Sequence, residues 1–179
     1  SKNYVSGKIT IGRTTKMHIP YQTLYCVYNT LAAFTVARLL GLKEKDIATS
    51  IDKIAGNTKN ISTYNTENRT VHVLNNKNEN SSTFNQSLLY VDRDQDLKTI
   101  VIGWKEISRR YEFDDLSWLY DIDFEILKNH NLDSIVCVGI HRYDIAVRMK
   151  NAGIEEAKIK IFHSLEEAVP YIKTTTNGT

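Results

Sequence analysis

Phosphate-gripping glycine loops, cysteine pairs and long apolar runs are all missing from this chain of 179 residues. There is no G-x-G-x-x-G and no G-x-x-x-x-G-K-S/T, so the chain alone has no evident means of cradling nucleotide phosphates. Its two cysteines, Cys26 and Cys137, form no C-x-x-C and have no histidine at ligand spacing, which argues against a disulfide framework or a zinc site. No apolar run approaches the roughly 18 residues of a membrane span, and the N-terminus lacks the basic, apolar and small-residue order of a signal peptide. The expectation is a cytoplasmic protein without a membrane-spanning segment. A net charge of +2 is spread over interspersed lysines and carboxylates, with basic clusters no longer than Ser108 to Arg110. A nucleic-acid footprint would need clustered positive charge, so none is expected.

What the chain does have is a change of pattern near residue 20. Lys8 to Ile11 and Lys16 to Ile19, around a turn at Gly12 to Thr15, read as a β hairpin that ends at Pro20. Beyond it helices and strands alternate. Leu24 to Leu40 places Tyr28, Leu31, Ala32, Val36 and Leu39 at helical spacing before a stop at Gly41, and Lys43 to Ile54 forms a second helix ending at Gly56. Strands are expected at Thr70 to Leu74, Thr99 to Gly103, Ser134 to Val138 and Lys158 to Phe162. Helices are expected at Phe84 to Tyr90, Asp123 to Asn129 and Tyr143 to Ala152, with a last one opened by the capping-box sequence Ser164-Leu-Glu-Glu167. Strands rich in valine and isoleucine, separated by helices, imply a mostly parallel sheet covered on both faces. The fold class is α/β, three-layer and Rossmann-like.

In such sheets ligands and partners meet the loops that leave the carboxyl ends of the strands. The stretch from Glu112 to Glu125 leaves the 99 to 103 strand at that edge, and it crowds Asp114, Asp115, Asp121 and Asp123 among Phe113, Trp118, Tyr120 and Phe124. Carboxylates packed among rings differ in solvation, which suits one of them to charge stabilisation or proton traffic. Cys137 lies inside an apolar strand and reads as a small core residue. His141 follows that strand at the functional edge, whereas His72 and His163 read as structural.

Several runs resemble one family. Asp115, Ser117, Trp118, Asp121, Asp123 and Phe124 look like the D-x-S-W-(I/L)-(W/Y)-D-x-D-(F/Y) signature of the MurT family, the Mur-ligase-like subunits of lipid II isoglutaminyl synthase. Arg142 to Gly153 is similar to the family's A-Y-D-x-A-x-R-x-K-x-A-G helix. Lys77 and Asn78 with Phe84 and Asn85 resemble its K-N-P-A-G-(F/M)-N loop with extra residues inserted. The run Tyr28 to Gly41 resembles the Y-N-A-L-A-A helix of Mur ligases. Residues 1–20 would then be the tail of a preceding central domain, and residues 21–179 a Mur ligase C-terminal-like domain.

The resemblance implies a glutamine-dependent amide ligase of cell-wall synthesis. In that family one subunit activates the α-carboxylate of the stem-peptide D-glutamate of lipid II with ATP and Mg2+, which would be bound mainly outside this chain. A GatD-like class I glutaminase supplies the ammonia from glutamine, using a Cys and a His of its own. The family's C-terminal domain docks the glutaminase and lends it the aspartate of D-x-S-W, here Asp115, with Ser117, Trp118 and His141 as candidates for the partner interface. The reading from residues alone is that Asp115 caps the turn that follows it. Departures from the family pattern are also plain. Ser108 to Asp114 replaces an N-D-N-x-x-D-G-R run, His141 stands in place of an Arg, and only Asn29 remains of the nucleotide-side G-x-(H/F)-N-x-x-N motif. Asn29 is the cofactor-side candidate. The competing readings are the C-terminal domain of an ordinary Mur-type or folylpolyglutamate-type ligase, and a non-catalytic interaction module.

Overall fold

A computed structural model describes residues 6–11, 15–20, 24–55, 61–66, 68–74, 80–104, 115–129 and 131–176. The turn at 12–14, the stop at Gly56, the pair Lys77 and Asn78, and the run from Ser108 to Asp114 lie outside the described residues. The chain forms two compact units, residues 1–62 with 72–75 and residues 63–71 with 76–179.

In the first unit β1 (Ser6–Ile11) and β2 (Thr15–Pro20) pair antiparallel, with Ser6 opposite Pro20 and Ile11 opposite Thr15. Helix α1 (Leu24–Leu39) stops at Gly41, whose φ of 87° is open to glycine at little cost. There the N–H of Leu42 donates to the Ala37 carbonyl and that of Gly41 to the Arg38 carbonyl, so the last turn's acceptors are satisfied. Helix α2 (Glu44–Ala55) carries Glu44 and Asp46 in its first turn and Lys53 in its last, charges that oppose the helix dipole. Phe34, Ile47 and Ala48 are buried together between the two helices, with Ala37 and Ile51 packed against them.

Strands β3 (Ile61–Asn65) and β4 (Thr70–Leu74) form a two-stranded sheet. Only β4 was expected. β3 buries Ile61 alone and shows Thr63, Tyr64 and Asn65 to solvent, so it carries no alternating apolar pattern to read.

The second unit holds the main sheet. Strands β5 (Lys98–Trp104), β6 (Leu132–Gly139) and β7 (Ile159–Phe162) are all parallel, in the order β5-β6-β7, with Ile102 beside Cys137 and Cys137 beside Ile161. The central strand β6 is buried on both faces and divides the core by alternation. Ile135 and Cys137 enter the larger cluster with Leu88 of α3 (Ser81–Asp92) and with Ile145 and Met149 of α4 (Arg142–Asn151). Val136 and Val138 point the other way, onto Ala168 of α5 (Leu165–Thr175), beside Phe162, Tyr171 and Ile172. Helices therefore cover both faces, as the valine and isoleucine content implied.

Helix α3 begins three residues earlier than its apolar pattern suggests. Asn80 caps it, its side-chain oxygen accepting from the Thr83 N–H at 2.9 Å, and this lets a polar first turn form. At α5 the Ser164 hydroxyl accepts from the Glu167 N–H at 3.3 Å, and the Glu167 carboxylate accepts from the His163 N–H at 3.1 Å. That is the expected capping exchange, reaching one residue further back. No helix among the described residues is long and apolar enough to cross a membrane.

Candidate functional site

The acidic segment does not form the α-helix expected at Asp123 to Asn129. It folds as two short 3-10 helices, Ser117–Asp121 and Phe124–Asn129. A 3-10 helix superposes side chains three apart. Leu119 with Ile122, and Phe124 with Leu127, have that spacing, and all four are almost completely buried in the larger core. The apolar period of three in this segment therefore prevails over the acidic N-terminal pattern that suggested an α-helix.

Aromatic rings fix the segment to the sheet. Trp118, half-buried, meets Trp104 at the end of β5 edge-on, with centroids 5.3 Å apart. Trp104 lies 5.6 Å from Phe84 of α3, and Phe84 lies 5.6 Å from Phe124 in another edge-on contact. Pairs in such geometry contribute about 0.5–1.5 kcal/mol beyond the area they bury.

Polar contacts hold the segment from two helices. Arg148 of α4 is 5% exposed and directs its guanidinium into the 3-10 backbone. Its Nε donates to the Leu119 carbonyl at 3.1 Å and one Nη to the Ile122 carbonyl at 2.6 Å, while both Nη atoms meet the two Glu125 oxygens at 2.9 Å. From α3, the Asn85 side-chain oxygen accepts from the Asp123 N–H at 2.9 Å. The Asn85 amide nitrogen donates at 3.3 Å to the Asp121 carbonyl and to the Asp123 carboxylate.

Asp115 stands at the head of this arrangement. Its side chain is exposed, and its Oδ1 accepts from the Ser117 N–H at 2.9 Å, closing an Asx turn into the first 3-10 helix. The turn-capping reading is therefore present in the structure. The backbone N–H of Ser117, followed by its side chain, holds the Asp115 carboxyl below the usual aspartate range, so it is ionised at neutral pH.

The other residues singled out by sequence are distributed unequally. Ser117 is exposed next to Asp115. His141, 7% exposed, is buried just after β6 with Nδ1 3.7 Å from the Asp144 carboxylate. Just before it, Gly139 has φ 90°, and a Cβ there would lie 2.9 Å from the Trp104 carbonyl oxygen. Glycine thus allows the ends of β5 and β6 to approach closely below the site. Asn29 is exposed on α1 in the first unit. Cys137 is buried, its thiol pushed up to about 12 by desolvation, which accords with a core residue. Among the described residues no group of three or more His, Cys, Asp or Glu could hold a metal ion.

Sequence reasoning gave no role to Arg148 or Asn85. A signal existed for the arginine: it sits between Ile145 and Met149 on a face that also buries Ala146 and Ala152, and a charge at such a position needs partners.

This α/β unit, with its parallel sheet covered by helices on both faces, has the fold of Mur ligases. The chain is similar to crystal structure I of MurF from Acinetobacter baumannii, with a TM-score of 0.62 and 20% identity over 92% of this chain and 34% of that one. Crystal structure II of the same protein gives 0.63 and 20%, covering 88% and 33%. Within that class, residues 77–179 match the family described as MurT ligase C-terminal, and the chain belongs to this family. It is 29% identical over 128 residues to the lipid II isoglutaminyl synthase (glutamine-hydrolyzing) subunit MurT of Staphylococcus aureus strain COL, and equally to that of strain N315. The match covers 72% of this chain and 28% of either relative. The chain thus spans little more than a quarter of the length of the curated relatives it matches.

Proposed function

We propose that this chain is the C-terminal part of a MurT-type subunit of a lipid II isoglutaminyl synthase, and that it docks a GatD-like class I glutaminase and supplies Asp115 to that enzyme's Cys-His pair. The observation that carries the reading is an exposed, ionised carboxylate at the head of a segment held by ring contacts and hydrogen bonds, in a chain of the MurT C-terminal family.

The chemistry needs such a group. A glutaminase cysteine attacks the carboxamide carbon of glutamine as its proton passes to histidine; ammonia then leaves, and water hydrolyses the thioester to glutamate. A carboxylate that accepts a hydrogen bond from the imidazole fixes its tautomer and stabilises the imidazolium. Supplied across a subunit boundary, it makes hydrolysis depend on assembly. The ammonia would amidate the α-carboxylate of the stem-peptide D-glutamate after its activation by ATP. The sequence carries no glycine-rich phosphate loop, and among the described residues no group of three or more His, Cys, Asp or Glu could hold a metal ion. ATP and Mg2+ would be bound mainly by other parts of the full-length protein, with Asn29 as this chain's one candidate contact.

The test is to co-express the full-length protein with a class I glutaminase and follow both complex formation and glutamine hydrolysis. Asp115→Asn should keep the complex and lose hydrolysis steeply, toward the ~10⁴-fold seen when an amide replaces a triad carboxylate. Failure to form a complex, or full activity in the variant, would reject the proposal.

A further inference from the structure

We propose that Asn85 and Arg148 are positioning residues for Asp115, holding from two different helices the backbone on which its carboxylate is mounted. The inference rests on the shared-triad reading above.

Burying a guanidinium is costly unless its donors are well matched. Arg148 meets that condition by directing its N–H groups at one target, the segment 119–125: two carbonyls and a carboxylate. Asn85 binds the same segment from the other helix, α3, and its orientation is set by the contact it makes. The Asp123 N–H can be met only by the amide oxygen, which leaves the amide nitrogen facing the Asp121 carbonyl and the Asp123 carboxylate. Between them the two side chains engage residues 119, 121, 122, 123 and 125. The path from this clamp to Asp115 is short. Leu119, whose carbonyl Arg148 holds, donates its own N–H to the Leu116 carbonyl at 3.0 Å, and Ser117 donates its N–H to Asp115. A shift of the clamped backbone therefore moves the Asx turn and the carboxylate it orients. An exposed aspartate on an unheld loop would lack this preorganisation, and a misplacement of about 1 Å at a catalytic group can lower a rate about 10²-fold.

The test uses the full-length protein in complex with its glutaminase, and the variants Arg148→Lys and Asn85→Ala. Lysine keeps the charge but cannot reach two carbonyls and a carboxylate together. Each variant should lower kcat for glutamine hydrolysis by about 10²-fold, with KM for glutamine within about twofold, since glutamine is bound by the partner. In an Asp115→Asn background, adding Arg148→Lys should cost less than about threefold more, because both changes act through one group. A purely structural role would lower the yield of folded complex without this non-additivity. Wild-type kcat in both single variants, with Asp115→Asn inactive, overturns the positioning role and leaves the function intact, and so do losses that multiply in the double variant. Full activity in Asp115→Asn removes the functional reading, and this inference with it. Should Arg148→Lys fail to fold, Asn85→Ala decides the matter, as its half-buried amide leaves no charge uncompensated.

Discussion

Trp118 presents its ring edge-on to Trp104, at 82° and 5.3 Å between centroids, and so fastens the segment that carries Asp115 to the end of β5. Because Trp118 is half-buried whereas Phe124 is fully buried, the two rings differ in what they contribute.

Trp118→Ala should destabilise the protein by about 2–3 kcal/mol, below the ~3–5 kcal/mol of a fully buried large aromatic. Phe124→Ala should reach that higher range, since it empties a core site. Urea denaturation of the two variants checks the order. An unchanged midpoint for Trp118→Ala would show that the ring contributes nothing to folding.

Glu125 gives the segment a dependence on acid. Hydrogen bonding from Arg148 is the largest influence on its carboxyl, holding it below the usual glutamate range against a smaller opposing desolvation. A carboxyl depressed in the folded state adds stability that is fully present above its unfolded value and is lost as pH falls through the folded one. Its side chain is 56% exposed, so solvent screening limits the contribution to no more than about 1 kcal/mol. Glu125→Gln should therefore lower stability at neutral pH and converge with the wild type once the pH falls below the folded value. Melting curves across the acid range test this, and a constant gap at every pH would refute it.

The sequence made the layered α/β fold legible because β6 carries a full apolar run and α5 opens on the capping box at Ser164. It did not reveal β3, whose buried side is reduced to Ile61, nor the 3-10 form of the acidic segment, where Leu119, Ile122, Phe124 and Leu127 are spaced for burial among charges that mimic a helix start. The motif made Asp115 a candidate, and the structure adds the turn it closes on Ser117. The clamp was not, because Asn85 and Arg148 lie 30 or more residues from Asp115 and are joined to its segment only by folding.

Cys137 should be inert in the native protein. Burial raises its thiol to about 12, so the reactive thiolate is scarce at pH 8. In a Cys26→Ser variant, where Cys137 is the single thiol, a thiol reagent should label the unfolded chain fully and the native chain only as fast as it opens. The same shift carries a sign: a raised folded value favours the folded state below the unfolded thiol value and loses that effect as pH rises toward about 12. Rapid stoichiometric labelling of the folded protein would place the thiol at an accessible surface.

The carboxylates of the acidic segment should respond unequally to the same chemical change. Asp121 has an exposed side chain, and it is its backbone carbonyl that meets Asn85, so Asp121→Asn leaves that contact in place. Asp123 accepts from Asn85 through its carboxylate, but an asparagine oxygen can accept the same 3.3 Å bond while the Asp123 N–H contact is untouched. Each of these two variants should change glutamine hydrolysis by the complex by less than about tenfold, equivalent to ~1.4 kcal/mol. Asp115→Asn keeps its own turn for the same reason, since an amide oxygen can still accept from the Ser117 N–H, yet it removes the charge that would stabilise a partner's imidazolium. Its loss should exceed the other two by at least about 10²-fold. Equal losses at all three positions would assign the effect to the electrostatics of the whole segment and not to Asp115.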